Sequence, residues 1–223
     1  MKKLILVTLF TSATFLYGQY NDGNTVMIWS SYKFQESLEG VEGASTEDWK
    51  KSFSEYYSKR NKKDKYLETS LFLRHYWTGA SYVYHEVNEF SNMDDASKWA
   101  SGQADLNKKA WPNADKRSAA IKAVNKYRQT SYHKDTHVWE NHPRYMKKRK
   151  KSKTPERTVV TVITQYWKPL SKVENGSVEE REKLMDKFFK EVTMKNDKIL
   201  SQRLVTHYWS GYVKNGEWPL TYI

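Results

Sequence analysis

The chain contains no cysteine at all, and only nine of its 223 residues are glycine. The first absence removes disulfides, thiol nucleophiles, Cys-ligated zinc and iron–sulfur clusters together, and with them the acylated cysteine of a lipoprotein. The scattered glycines form no phosphate-cradling loop and no nucleophile elbow, and no zincin motif is present. These absences argue against nucleotide enzymes and against serine hydrolases of the elbow type. One apolar run stands out, Leu4 to Leu16, and it is too short to span a bilayer comfortably. It follows Met1-Lys2-Lys3 and precedes Gly18-Gln19, the layout of a secretory signal peptide cleaved near Gly18. The expected product is periplasmic or secreted, with no transmembrane segment.

What is abundant is aromatic side chain and positive charge. Nine Trp, sixteen Tyr and eight Phe make up 15% of the residues, enough to hold an exported protein together without disulfides. The formal net charge is +12. Much of it sits in one segment, where Arg144, Lys147, Lys148, Arg149, Lys150, Lys151 and Lys153 fall within ten residues. Behind a signal peptide this run does not predict nucleic acid as a partner. It reads as a solvated linker, because like charges keep a segment extended; contact of 144–153 with an anionic envelope surface is the functional alternative.

A repeat organises the rest. "RHYWTG" at 74–79 returns as "THYWSG" at 206–211. At the same offset Ser45, Glu47 and Asp48 fall on Ser177, Glu179 and Glu180, while Phe53, Tyr56 and Tyr57 fall on Met185, Phe188 and Phe189. With a two-residue slip "TVMIWSSYKF" pairs with "VVTVITQYWK", and both are rich in the β-branched and aromatic residues of strands. "STEDWKKSFSEYYSKR" and "SVEEREKLMDKFFKEV" both open on Ser and acidic residues and carry apolar residues at helical spacing. The stretch from Asn92 to Trp111 reads as one helix, with another after Pro112, and "SYHKDTHVWENH" reads as a strand.

The expected fold is α+β: tandem ferredoxin-like β-α-β-β-α-β units, with helices on one face of an antiparallel sheet. Residues 19–143 form the first unit, 144–156 the basic linker, and 157–223 a second unit lacking its last helix and strand, which leaves a sheet edge unpaired. Two such units resemble the dimeric α/β-barrel superfamily, in which two sheets pack face to face. That resemblance covers residues 25–140 and 157–223 by element order and implies an intramolecular pseudo-dimer or a homodimer. It also implies a pocket between paired sheets or between a sheet and its helices. Members include cofactor-free monooxygenases, isomerases, haem-degrading enzymes and proteins without a known reaction, and no catalytic residue carries over.

Strand alternation sorts the repeated triplet. His75 and Trp77 share one face and Tyr76 the other, as His207 and Trp209 share one face and Tyr208 the other. His75 and His207 are the candidate catalytic groups, since a neutral imidazole can act as base or acid near pH 7. Trp29, Tyr76, Trp77, Tyr208 and Trp209 are the candidate ligand-binding residues, and aromatic walls around a polar group are the usual make-up of a small-molecule site. In "YHKDTHVWENH", alternation puts His133, Asp135 and His137 on one face as candidate ligands for a divalent metal, and an imidazole there could also ligate haem. The functional expectation is an exported small-molecule-binding protein. The alternatives are an oxygenase- or isomerase-like enzyme with a His base, and a surface protein whose Trp and Tyr stack on sugar rings.

Overall fold

The computed structural model describes residues 23–35, 37–39, 41–74, 83–150, 158–210 and 219–223, without the side chains of 130–132, 135, 136, 209, 210 and 219. The expected signal peptide at 1–18 lies outside the described residues. No described helix is long and apolar enough to cross a membrane.

Seven strands and five α-helices are described. In chain order they are β1 (Thr25–Phe34), α1 (Thr46–Asn61), β2 (Leu67–Arg74), β3 (Val83–Phe90), α2 (Met93–Ser101), α3 (Gln103–Ala110), α4 (Ala114–Asn125), β4 (Arg128–Asn141), β5 (Ile163–Tyr166), α5 (Val178–Phe188), β6 (Leu204–Ser210) and β7 (Pro219–Tyr222). Every strand pairing is antiparallel, and the strands run β2-β3-β1-β4-β6-β7-β5 across a single sheet. The first four strands thus have the ferredoxin-like arrangement expected from their order. The single helix expected from 92 to 111 is two, because the chain breaks at Gly102 and restarts.

The helix starts follow their sequence signals closely. Ser45 Oγ accepts from the Asp48 N–H at 3.0 Å, and Ser177 Oγ accepts from the Glu180 N–H at 3.0 Å. Each helix then carries two acidic residues in its first turn, where the helix dipole favours them. Replacing Ser45 or Ser177 by alanine is expected to cost about 1 kcal/mol each, the usual loss for an N-cap. The shift in urea midpoint measures it, and no shift at either serine would show that the cap contributes nothing there.

One core lies between the first four strands and their helices, where Phe34, Phe53, Tyr56, Tyr84, Trp111 and Tyr127 are buried together. A smaller one packs α5 against β6 and β7 through Tyr145, Leu204, Leu220, Met185 and Phe189. Both occupy the helix-bearing side of the sheet.

The opposite face is the unexpected part. Separate sheets facing each other were anticipated, but the β4–β6 ladder joins the halves into one sheet, pairing Trp139 with His207 and Asn141 with Val205. The face without helices is nonetheless dry: Met27, Val87, Trp139 and Val205 are buried there with Trp29, and Leu71, Leu73 and Ile223 pack on them. Curling of the sheet accounts for this. Arg203, at the start of β6, donates to Glu89 on β3 and to Thr69 on β2, and its guanidinium reaches Met27 Sδ on β1. In a flat sheet β6 and β2 would stand roughly 19 Å apart, four strand spacings, beyond the reach of one side chain. The sheet therefore bends into a trough whose concave side is shared by both halves.

The first part of the expected basic linker is docked rather than free. Arg144 pairs with Asp186 and Glu182, and Lys147 Nζ donates to the carbonyls of Thr193, Met194 and Asn196. Lys147 also forms a backbone bridge with Gln202. At least two of the seven cations proposed for an anionic surface, Arg144 and Lys147, are thus engaged within the chain. Lys148, Arg149 and Lys150 are exposed, and 151–157 lie outside the described residues.

Candidate functional site

The concave face is built by alternation along four strands. On β1, Met27, Trp29 and Ser31 point into it, because Phe34 and Tyr32 on the other parity pack toward the helices. The β1–β3 register sets Trp29 opposite Val87 and Ser31 opposite His85. The β1–β4 register sets Met27 opposite Trp139 and Trp29 opposite His137, and β6 adds His207 beside Trp139. Three imidazoles and two indoles therefore converge on one surface.

Ring geometry confirms the convergence. Trp29 lies 5.4 Å from Trp139 in an edge-to-face contact and 5.2 Å from the His85 ring, and His137 lies 4.9 Å from Trp139. Trp29 Nε1 donates to His85 Nδ1 at 3.0 Å, and Ser31 Oγ is 2.9 Å from the same nitrogen. An indole N–H can only donate, so His85 Nδ1 must carry a lone pair and the ring proton resides on Nε2. His85 is thereby a neutral imidazole with a fixed tautomer.

Burial acts in the same direction on all three histidines. It holds His85 and His207 below the ordinary imidazole value. His137 is lowered first by burial, then by repulsion from His207 and Lys134. His137 Nδ1 is buried and has no hydrogen-bond partner, an orphan polar atom facing a cost unless something binds it.

At one end of the trough lies a closed polar knot. Glu89 Oε1 accepts from Thr25 Oγ1 at 2.5 Å and Asn141 Nδ2 at 2.8 Å, while Oε2 accepts from Thr69 Oγ1 at 2.8 Å and from Arg203. Burial pushes this carboxyl up, but the hydrogen bonds from Thr25, Arg203 and Thr69 and the Arg203 charge outweigh it, and the net shift is downward. Toward the other end, Lys33 and Lys134 share the parity of the concave face, opposite Val83 and Ser31.

The sequence candidates distribute unevenly over this geometry. Trp29 and His207 lie in the trough as expected. Tyr208 takes the opposite parity and is exposed. His75, Tyr76 and Trp77 lie outside the described residues, as does the Trp209 side chain. The expected sharing of one face by His133 and His137 fails, because the β1–β4 ladder slips between Trp29 and Ser30. This bulge reverses the parity of β4, so His137 faces the trough while His133 stacks on Tyr32 at 4.9 Å on the helix side. The Asp135 side chain is outside the described set, and among the described residues no cluster of three or more His, Asp or Glu could hold a metal ion. His85 and Trp139 were missed. Their parity is readable along each strand, but only the registers with β1 place them beside Trp29.

The fold and site define an α+β protein with a curled antiparallel sheet and an aromatic, imidazole-lined concave face. No family model matches the chain, and no curated protein matches it. A solved structure that matches is a dimeric protein of unknown function and ferredoxin-like fold from Bacteroides fragilis NCTC 9343. It is 12% identical, with a TM-score of 0.30, over 49% of this chain and 90% of that one. At that level the likeness carries nothing about the site.

Proposed function

We propose that the concave face binds a small molecule with a planar apolar body and an anionic group. The observation that carries this reading is the buried, unpartnered His137 Nδ1 set among Trp29, Trp139 and His207. Indole walls favour a planar apolar body, and a neutral imidazole supplies directional hydrogen bonding without the desolvation cost of a charge. Lys33 and Lys134, on the same parity, favour an anionic group at the end away from Glu89 and Arg203. His85 serves as a donor through Nε2, since its other nitrogen is taken by Trp29.

A panel of aromatic carboxylates, from benzoate to naphthoates, tests this by quenching of tryptophan fluorescence and by thermal shift. At least one member is expected to bind, with Lys134→Ala weakening it about tenfold and His137→Asn by a similar factor, each worth about 1.4 kcal/mol. Absence of binding by every member, or affinities indifferent to both substitutions, would sink the proposal.

We also infer that the two halves descend from one β-α-β-β unit. The matching Ser45 and Ser177 caps support it, as does the repetition of the order β2-β3-β1 by β6-β7-β5.

A further inference from the structure

The second half carries an apolar surface that the described residues leave open. Among the described residues fourteen large hydrophobic side chains are exposed, and twelve of them lie between Val159 and Leu200. Four of them, Ile163, Leu184, Phe188 and Val192, line one groove, and contiguous exposed apolar surface marks a contact site where single scattered residues do not. Two elements present it. β5 ends the sheet, is exposed at all four residues and is paired only with β7 among the described residues. α5 presents Leu184, 60% exposed, and Phe188, 47% exposed, to a groove of about 750 Å³ between the helix and that strand.

The first half shows how such a place is normally filled. There Phe53 and Tyr56 of α1 are buried against Trp111 and Val124, and the outer side of β1 is paired with β4. The equivalent positions beside α5 and β5 have no such cover among the described residues.

Charge along the groove indicates what covers it. Arg181, Leu184 and Phe188, at the three- and four-residue spacing of one face of α5, line the groove together with Glu191, which lies in the π-helical turn Phe189–Thr193 that continues the helix. This order is self-complementary. When a second α5 is laid antiparallel about a two-fold axis, Leu184 meets Phe188 of the second copy and Arg181 meets its Glu191. An antiparallel pairing of two β5 edges obeys the same two-fold, as an isologous interface requires.

We propose that this chain forms a two-fold homodimer through the β5 edge and the surface made by Arg181, Leu184 and Phe188 of α5 with Glu191 of the turn that follows it. This surface is separate from the concave face and does not depend on what binds there. Sedimentation equilibrium of the purified protein tests it. The wild type is expected to dimerise at micromolar concentration, and Leu184→Asp, at an exposed position, to weaken dimerisation by about 100-fold. Glu191→Arg is expected to weaken it roughly tenfold, and the double variant R181E/E191R to recover most of that loss, because the swapped pair restores the attraction. Circular dichroism should report the same fold for each variant. A wild type that stays monomeric to about 100 μM overturns the proposal and leaves the face to a different partner or to further chain. A dimer indifferent to Leu184→Asp, or a double variant as weak as Glu191→Arg alone, overturns it equally.

Discussion

Replacing Arg203 by alanine is expected to lower stability by about 3–5 kcal/mol, the usual consequence of removing one partner from a buried ion pair. Arg203 lies at the start of β6, yet its guanidinium engages Glu89 on β3 and Thr69 on β2, closing the trough across both halves. The Glu89 and Arg203 side chains are only 7% and 16% exposed, so solvent screening does little for the carboxylate left behind. Thr25, Thr69 and Asn141 would still donate to it, but no positive charge would remain in contact. Urea denaturation reads the loss. The double variant Glu89→Gln with Arg203→Met, which removes both charges, is expected to recover a large part of it. If Arg203→Ala costs under about 1 kcal/mol, the pair behaves as a surface ion pair and does not close the trough.

Mild acid is expected to destabilise the protein through its histidines, beginning below about pH 6.5, the value for an unfolded imidazole. Burial depresses His85, His142 and His207, and burial followed by His207 and Lys134 depresses His137. For a base held low in the folded state, the unfolded chain takes up the proton first. Stability is therefore full above the unfolded value and declines as the pH falls toward the folded one. Each such group contributes a slope of up to about 1.4 kcal/mol per pH unit. Glu89 acts at lower pH: with its folded value depressed, its contribution is present above about pH 4 and is lost as the pH falls through the folded value. Melting temperatures at pH 8, 7, 6 and 5 test the histidine effect, with a fall expected between 7 and 5. His85→Gln should flatten that fall, since a glutamine takes up no proton. A wild-type profile level across that range would show that these imidazoles titrate as they do in the unfolded chain.

Much of the fold was legible because the deciding forces are local. Ser45 and Ser177 announce their helices by capping, and the acidic residues that follow them suit the helix dipole. The β-branched and aromatic runs around Trp29 and His207 are the strands they were expected to be, and along β6 simple alternation separates His207 from Tyr208. The β-α-β-β-α-β order of the first 141 residues follows from these signals.

The site was less legible because it depends on which strand stands beside which, and in what register. One extra residue in the β4 ladder separates His133 from His137, although local alternation puts them on one face. The β1–β3 register brings His85 to the Trp29 indole, from a stretch with no local mark of a site. The sequence by itself determined where the capped helices start and which side chains β1 and β6 present together. Only the tertiary structure decided that the two halves share one curled sheet, that Arg203 reaches Glu89, and that imidazoles from three strands meet over two indoles. Capping and alternation act within a few residues of the chain, whereas the contacts of Trp29 with His85 and of Arg203 with Glu89 join residues 56 and 114 positions apart.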